Sequence, residues 1–507
     1  MWAVTEQPAP EGVVFPADGG RRSTSRTGRA VIADAVRAVD PGLAGTVEGL
    51  ADWRTAYLDP FRRLTLLEGA DAVGVASAGL ASVHARFAVD AGGRDLPLDD
   101  AMAQGLQDAR RAPSVHTVVV EGRGPAAPSG LSVPYAGGRL ADAALDARLD
   151  AWLAAGTVEP SFATAVRAVA EHPQWLDARD LTVVVLGAGA EMGPLVSLLR
   201  WGAHVVAVDL PRPAIWRRLL EVARSSPGRL TVPVSRWLPA NAADDDVADA
   251  AGVDLLTQAP AVLAWLRGIE GPFTLGHYVY ADGALHTRAS VAVDAVTAGL
   301  LAARDDVSLA FLATPTDAFL VPAEVVEDSR RRFDGRTTLG RLGRVASAGR
   351  LYTANYDGVV DLPDGTRVGL NDSLVPQQGP NYALAKRIQR WRAVQARASG
   401  RLVSLNVAPA TRTRSVLRNR VLAAAYAGAH RFGVEVFDPS TSNTLMAALL
   451  LHDLRSPSAV ARPENALAHP LEVIWQGANH GGLWRTPWKP RSVLGIAVVL
   501  GMVQRGA

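Results

Sequence analysis

A tyrosine and a lysine four residues apart are the side chains with the most direct chemical potential in this 507-residue chain. The stretch NYALAKRIQRW places Tyr382 and Lys386 on one face of a predicted helix at about 381–399. A free phenol has a pKa of about 10, so it is a poor base at neutral pH unless a nearby ammonium stabilises the phenolate. Such a pair could exchange a proton with the oxygen of a carbonyl or alcohol. Lys386 is one of only two lysines among 52 basic residues, which suggests a role that arginine cannot fill.

A glycine-rich segment offers a second kind of chemistry, the binding of phosphates. The stretch VVVLGAGAEMG contains Gly187, Gly189 and Gly193. It follows a predicted strand at 181–187 and precedes a predicted helix at about 191–201. Gly187 permits a tight turn, Gly189 allows the backbone to approach a pyrophosphate, and Gly193 allows the helix to pack on the strand. The amino end of that helix would then bind the anionic phosphates.

An acidic residue follows at the distance expected for a dinucleotide site. Asp209 ends the second predicted strand, about twenty residues after the glycines. Its carboxylate can accept hydrogen bonds from ribose hydroxyls but would repel a 2′-phosphate, so the sequence favours NAD(H) as the cofactor. Arg212 lies close enough in the sequence to keep NADP(H) as an alternative.

The elements that must position these groups alternate between strand and helix from residue 181 onwards. The predicted strands lie at 181–187, 204–210, 229–235, 253–258, 307–313 and 401–409, with a further apolar run at 432–438. This alternation is typical of an α/β protein with a doubly wound parallel Rossmann sheet, here of seven strands, with the nucleotide over the carboxyl ends of the strands. A separate strand is expected at 115–121, before this alternation begins.

Three regions are expected along the chain. Residues 1–178 predict a mainly helical accessory domain. Residues 179–445 predict the NAD(P)-binding domain, interrupted by an insertion at about 322–380, in which Asp364-Gly365 is typical of a hairpin turn. Residues 446–507 form a C-terminal extension that could cover the substrate site.

The two motifs together resemble the short-chain dehydrogenase/reductase (SDR) superfamily. The glycine spacing Gly-x-Gly-x-x-x-Gly and a Tyr-x-x-x-Lys pair at the start of a long helix after the fifth strand carry the resemblance, which covers roughly residues 180–440. It implies an enzyme that transfers a hydride between NAD(P) and a carbonyl or alcohol substrate. In that role Tyr382 is the catalytic acid/base and Lys386 modulates it and binds the nicotinamide ribose.

The resemblance also implies a catalytic hydroxyl, for which three residues are open. Ser373 is preferred because it lies about nine residues before the tyrosine, whereas strand position indicates Thr314 or Thr316. The chain departs from the family at two places. The residues at 258–260 differ from the family's Asn-Asn-Ala-Gly turn, and Glu191 stands where the nucleotide loop usually has its middle glycine.

The residues implied for cofactor binding come from the glycine turn, the end of the second strand, the lysine and the segment after the sixth strand. They are Gly187, Ala188, Gly189, Glu191, Met192, Gly193, Asp209, Leu210, Lys386, Pro409, Thr411 and Thr413. In the last segment Pro409 matches the family and Ala410 replaces a glycine. Either Thr411 or Thr413 would meet the carboxamide of the nicotinamide.

Composition argues against several other classes of protein. The chain has no cysteine, which excludes disulfides, thiol catalysis, iron–sulfur clusters and zinc–cysteine sites. A net charge of +2 argues against nucleic acid as the partner. The spacing of the histidines predicts no metal site. Without a basic segment leading into an apolar one, or an apolar stretch of about twenty residues, we expect a cytoplasmic protein with no membrane partner.

The expected partner is a small-molecule substrate. Residues 381–420 hold ten Lys and Arg and no Asp or Glu, which predicts either a solvated helix face or a surface that attracts an anionic substrate. His480 lies among glycines and could contact substrate or serve the structure. A homo-oligomer is a further expectation.

Two alternatives to an oxidoreductase remain at this stage. One is a redox-neutral epimerase or dehydratase that uses bound NAD, and the other is a nucleotide-sensing binding protein without turnover. The identity of the substrate depends on the N- and C-terminal regions, which the resemblance does not cover.

Overall fold

The computed structural model describes residues 12–336 and 338–506. Its strands are β1 (Gly12–Val14), β2 (Ala17–Asp18), β3 (Arg21–Arg22), β4 (Ala88–Asp90), β5 (Asp95–Pro97), β6 (His116–Glu121), β7 (Val133–Tyr135), β8 (Gly138–Leu140), β9 (Thr182–Leu186), β10 (His204–Val208), β11 (Arg229–Val234), β12 (Phe273–His277), β13 (Val307–Ala313), β14 (Ala318–Pro322), β15 (Val360–Asp361), β16 (Arg367–Asp372) and β17 (Val403–Val407).

The helices of the described residues lie between and around these strands. They are α1 (Thr24–Val36), α2 (Pro41–Gly49), α3 (Trp53–Ala56), α4 (Leu58–Ala70), α5 (Ala72–Arg86), α6 (Leu98–Arg111), α7 (Asp142–Ala155), α8 (Pro160–Glu171), α9 (Leu195–Arg200), α10 (Pro213–Arg224), α11 (Asp244–Ala250), α12 (Leu255–Arg267), α13 (Gly283–Leu301), α14 (Ala323–Asp334), α15 (Thr338–Ala346), α16 (Pro380–Ala398), α17 (Arg414–Arg418), α18 (Arg420–Gly428), α19 (Pro439–Arg455), α20 (Glu472–Trp475) and α21 (Pro490–Gly506). Two short 3₁₀ helices lie at Pro173–Leu176 and Ala429–Phe432.

A seven-stranded sheet occupies the centre of the molecule, in the order β17-β13-β12-β9-β10-β11-β6. Six strands of this sheet, β9 to β13 and β17, are parallel to one another. The seventh strand, β6, pairs antiparallel with β11 at the edge. The chain is therefore an α/β protein with a mostly parallel central sheet, which is compatible with a Rossmann-like fold. The strands expected at 181–187, 204–210, 229–235, 307–313 and 401–409 are confirmed.

Two of the expected strands were wrong. Residues 253–258 begin helix α12, where the side chain of Asp254 caps the helix by accepting from the N–H of Leu256 at 2.9 Å. The fourth strand of the sheet is instead β12, in a stretch that reads as a connector. Residues 432–438 form no strand, and Phe437 makes only a single bridge to Thr411.

The seventh strand therefore comes from a different part of the chain. It is β6, the strand expected at 115–121, and it joins the sheet antiparallel from before residue 178. Antiparallel edge strands on an otherwise parallel sheet are common in α/β proteins. The expectation of seven parallel strands within 179–445 is corrected accordingly.

Helices cover both faces of the sheet because side chains along each strand point alternately to opposite sides. Val183 and Val185 belong to one buried cluster, with α9, α10 and α19. Val184 and Leu186 belong to the other, with α12, α13 and α16. Residues from before position 178 contribute to both clusters, so one core joins them to the sheet, and the proposed division into domains stays a prediction.

The basic residues of α16 are mostly not on the surface. Arg387 is fully buried and donates to Glu68 Oε2 at 2.5 Å, and Arg392 is paired with buried Asp294 at 2.7 Å. These pairs connect α16 to α4 and α13. Both hypotheses for the charge of 381–420, a solvated face and an anion-attracting surface, are wrong for these arginines. A buried charge must be paired, and here its partners are distant in sequence.

The insertion at about 322–380 supplies β15 and β16 to a small antiparallel sheet in the order β14-β16-β15, whose strand β14 comes just before the insertion. The predicted hairpin turn is confirmed: Gly365 has a φ of +84°, and the N–H of Thr366 donates to Asp364 Oδ1 at 2.9 Å. Near the C-terminus, α18 and α21 pack against each other. None of the described helices is long and apolar enough to cross a membrane.

Candidate functional site

A cleft of about 2570 Å³ opens at the carboxyl ends of the parallel strands. The strand order reverses direction between β9 and β12, and the cleft runs across this point. In open α/β sheets, the crevice at such a reversal is where ligands bind. The cleft receives the glycine turn after β9, the end of β10, the start of α16 and the segment after β17.

The glycine turn forms as its sequence predicts. Gly187 has a φ of +82°, and a Cβ there would lie 2.9 Å from the backbone of Tyr278. The N–H groups of Gly187 and Ala188 donate to the Val208 carbonyl at 2.8 and 3.1 Å, which fixes the turn against β10. Only glycine tolerates this backbone conformation and close approach.

The helix after the turn is shorter than expected. It begins at Leu195, not near 191, and has six residues. Pro194 precedes it, and the turn continues through 190–193. The N–H groups of Gly187, Ala188, Gly189, Ala190 and Gly193 already donate to Val208, to Asp209 or within the turn. Phosphates would therefore rely on the N–H groups of Glu191 and Met192.

Asp209 lies at the end of β10, next to the turn. Its Oδ2 accepts from the N–H of Gly189 at 2.7 Å, and its Oδ1 accepts from the N–H of Leu210 at 2.8 Å. Burial raises the pKa of Asp209, and these two hydrogen bonds oppose the shift. Each carboxylate oxygen keeps a second lone pair, so the group could still accept from ribose hydroxyls.

The other residues at this end of the cleft differ in their exposure and in their hydrogen bonds. Met192, Gly193 and Leu210 line the cleft, whereas Ala188 is 3% exposed and belongs to the core. Arg218 donates to the Gly189 carbonyl at 2.8 Å. This part of the cleft has the donors and acceptors to hold the adenosine half of a dinucleotide.

Glu191 adds a negative charge beside the turn. Its Oε2 accepts from the N–H of Arg414 at 2.7 Å, and the Arg414 guanidinium lies 3.2 Å from its Oε1. The pair connects the glycine turn to the segment after β17, across the cleft. A diphosphate bound at the turn would lie near this carboxylate, whose charge is offset by its ion pair with Arg414.

Tyr382 and Lys386 line the cleft from the first turns of α16, both half-buried. Burial raises the pKa of the Tyr382 phenol above its usual value, and a hydrogen bond with Thr314 opposes the shift. Burial lowers the pKa of Lys386 to about 8, although the charge of Asp317 acts the other way. The ammonium donates to Gln389 Oε1 at 3.2 Å.

The three candidate hydroxyls occupy different positions. Thr314 follows β13 directly, lies in the cleft and interacts with Tyr382. Its Oγ1 is 3.0 Å from that of Thr316. Ser373 also borders the cleft but is fully buried and donates to Asn371 Oδ1 at 2.8 Å. Thr314 is favoured over Ser373 as the hydroxyl that acts with the phenol, because the Ser373 hydroxyl is buried and already donates to Asn371.

The segment after β17 enters the cleft with Pro409, Thr411 and Thr413. Thr411 is 4% exposed, and its hydroxyl donates to the Pro409 carbonyl at 2.9 Å. Thr413 is more open, and its hydroxyl lies 2.9 Å from that of Ser415. Of the two threonines, Thr413 has the more accessible hydroxyl for a carboxamide.

Two regions that the sequence analysis considered lie outside the cleft. Gln258 accepts from the N–H of Asp254 at 2.9 Å within the start of α12, and residues 258–260 do not line the cleft. His480 is fully buried, 2.9 Å from Glu159 Oε1, and its ring stacks on Trp484. It holds the C-terminal region against α8 and serves the structure.

The sequence analysis missed several residues that the fourth strand brings to the cleft. Tyr278 and Tyr280 follow β12 and line the cleft, and Tyr280 is 52% exposed. His286 in α13 is fully buried, with its ring centroid 5.4 Å from that of Tyr382. Burial lowers the pKa of His286 to about 3, so the ring is neutral. The tyrosines and histidines of GHYVYADGALHT are visible in the sequence. They could be placed at the cleft only if Phe273–His277 was identified as the fourth strand.

Comparisons with protein-family models, with curated proteins and with solved structures found no match. Among the residues that the structure describes, no group of three or more His, Asp or Glu side chains could hold a metal ion. The side chains of the cleft are therefore the basis for any inference about its chemistry.

Proposed function

We propose that the protein is an NAD(P)-dependent oxidoreductase of SDR type that acts on a carbonyl/alcohol pair. One observation carries the proposal: a single cleft at the reversal point of the sheet is lined by the glycine turn, Asp209, Thr314, Tyr382 and Lys386. These residues come from four separate parts of the chain, namely the connections after β9, β10 and β13 and the start of α16, and the sequence alone had assigned most of them to one site.

The side chains support a defined division of work. The Asp209 carboxylate accepts from the adenosine ribose, which favours NAD(H) over NADP(H). Lys386 holds the nicotinamide ribose with its ammonium. A bound nicotinamide supplies or accepts the hydride. Thr413 offers its hydroxyl to the carboxamide.

The proton step belongs to Tyr382. Because burial keeps its pKa high, the phenol is protonated at neutral pH and suited to act as an acid. In the reductive direction, the Tyr382 O–H bond would break and its proton would pass to the carbonyl oxygen, which balances the hydride that a bound NAD(P)H would supply to the carbonyl carbon. Thr314 orients the phenol. The Lys386 ammonium stabilises the phenolate that remains until a proton from solvent restores it.

A nucleotide-sensing protein without turnover is a second candidate, which one observation favours. The Glu191 carboxylate lies beside the turn that must bind the diphosphate, and the helix there is only six residues long. Such a site could bind a nucleotide without the orientation that hydride transfer requires.

The test is to follow absorbance at 340 nm while the protein is incubated with NADH or NADPH and a panel of aldehydes and ketones. Consumption of NADH that depends on both carbonyl and protein supports the oxidoreductase. A nucleotide that stays bound through purification without net consumption points to an epimerase or dehydratase. Saturable NADH binding with no turnover on any compound favours the sensor.

A further inference from the structure

The cleft extends well beyond the groups that the proposed reaction uses. Its volume of about 2570 Å³ exceeds the roughly 300–1,000 Å³ that a single small-molecule site usually needs. Its lining also includes residues of α18, of α21 and of the segments that precede α21. We call this part the apolar arm and define it by Leu422, Ala425, Phe432, Trp488, Val493 and Val498, all of which line the cleft.

The two helices beside the arm, α18 and α21, pack closely on each other. A Cβ at Gly428 of α18 would overlap the carbonyl oxygen of Ala497, and one at Gly501 of α21 would overlap that of Ala424. The two backbones thus meet directly, with small residues between them. The larger side chains Leu422 and Val498 lie at the cleft beside this contact.

Several polar groups in the walls of the arm already have partners. Thr486 Oγ1 donates to the Phe432 carbonyl at 2.7 Å, and Ser492 Oγ donates to the Lys489 carbonyl at 2.7 Å. The guanidinium of Arg491 is held by the Asp372 carboxylate at 2.5 Å. Such walls offer contact area to an apolar ligand and few hydrogen bonds to a sugar or a second nucleotide.

Large apolar side chains are also left open to solvent in the cleft. Val421 is 54% exposed and Leu422 37%, and across the cleft Tyr280 is 52% exposed and Leu285 44%. Burying such surface against a ligand is favourable by about 25 cal/mol per Å² of apolar area. An alkyl chain along the arm would cover these side chains and place its end near Tyr382.

We infer that the substrate is a carbonyl compound with a long alkyl or acyl chain, bound with its chain along the apolar arm and its carbonyl at Tyr382. The position of the carbonyl at Tyr382 rests on the proposed reaction. Binding of an apolar chain depends only on the residues that line the apolar arm, so an experiment can contradict one of these claims without the other.

The experiment is a fluorescence titration with cis-parinaric acid, an 18-carbon fatty acid, on the full chain. We expect saturable binding of one probe per chain. Saturated carboxylates of four to sixteen carbons should displace the probe more strongly by up to about fourfold for each added methylene. No saturable binding, or displacement that is independent of chain length, would overturn the inference.

Neighbouring residues of α21 provide matched variants. Val498 lines the arm, whereas Val499 is 60% exposed and does not. Val498→Trp should fill the arm and weaken probe binding at least tenfold, while Val499→Trp should change it less than twofold. The opposite pattern would put the chain on the outer face of α21 and contradict the proposal.

A second pair keeps the test decisive if Val498→Trp does not fold. Leu422→Asp places a charge in the arm, and Leu417→Asp places one on a side chain that is 49% exposed outside the cleft. Only Leu422→Asp should weaken binding of the probe. NADH affinity, measured in parallel, should be unchanged in both, because neither touches the glycine turn. Normal probe binding with no NADH binding would contradict the proposed reaction and leave the arm standing.

Discussion

The two sides of α16 carry ionisable groups in opposite situations. Toward the cleft, Lys386 donates to the neutral side chain of Gln389, and burial lowers its pKa to about 8. One position further along, Arg387 points into the core and is paired with Glu68. The paired charge connects parts of the fold. Among the residues that the structure describes, no carboxylate lies at hydrogen-bonding distance from the Lys386 ammonium, as is typical of groups that act on a ligand.

Substitutions on the cleft side of α16 should reduce turnover and leave the free energy of unfolding nearly unchanged. The loss of turnover is the largest effect that we expect. Tyr382→Phe removes the proton donor and keeps the packing of the ring. We expect turnover to fall by about 10²–10⁴ with little change in NADH affinity, because positioned proton transfer commonly contributes that much. Consumption of NADH at 340 nm measures it.

Tyr280→Phe is the matched control for this change. Tyr280 also lies in the cleft, with its hydroxyl donating to Asp282 at 2.9 Å, but it does not interact with Thr314 in the way Tyr382 does. We expect its turnover within about threefold of wild type. Equal losses in the two variants would show that the phenol of Tyr382 has no special role.

Substitutions on the core side of α16 should reduce the free energy of unfolding and leave turnover nearly unchanged. Arg387→Met leaves Glu68 buried without its closest cation, and breaking a buried pair in this way costs about 3–5 kcal/mol. Urea unfolding followed by tryptophan fluorescence measures the loss. Arg418→Met, at an exposed arginine, should change stability by less than about 0.5 kcal/mol. If both variants were equally stable, the comparison between the two sides would be wrong.

The charge of Lys386 predicts a pH dependence. Because its pKa is lowered to about 8, the ammonium is charged below that pH and loses its proton above it. The value of kcat/KM should therefore decline above pH 8 or so, by up to about tenfold per pH unit. In Lys386→Arg, turnover is lower but the guanidinium stays charged, so the decline should move to higher pH. Identical profiles would contradict a role for this charge.

The smallest effect concerns Glu191, at the other end of the cleft. Glu191→Gln removes a negative charge beside the expected diphosphate and keeps an oxygen that can accept from the N–H of Arg414. Exposed charges usually contribute about 0.2–1 kcal/mol, so NADH should bind about two- to fivefold more tightly. Weaker binding in calorimetric titration would show that the carboxylate helps to hold the nucleotide.

The sequence predicted those parts of the cleft whose geometry is local. The glycine turn, Asp209 and the pair on α16 each depend on spacing within one strand–helix unit, and the structure brings them to one cleft. The fourth strand was assigned wrongly because VDLLTQ is a short apolar run, and such runs do not distinguish a strand from the start of a helix. That error hid Tyr278 and Tyr280.

Features that depend on distant partners could not be predicted. The arginines of α16 read as a charged surface because Glu68 and Asp294 lie far from them in sequence. The apolar arm requires α18 and α21 to meet, and each alone is only an apolar helix. The choice of Thr314 over Ser373 likewise depends on how the insertion folds back on the cleft.

Nucleotide binding by wild type and Asp209→Ala tests the central claim most directly. Calorimetric titration of the wild type should show saturable binding of one NADH per chain. Asp209→Ala should weaken NADH by about tenfold or more, since a hydrogen bond to a charged group contributes about 1.5–3 kcal/mol, and should weaken NADPH less because the repulsion of its 2′-phosphate is gone. Equal losses for both nucleotides would mean that the substitution only disturbs the turn. Failure of the wild type to bind either nucleotide would contradict the account.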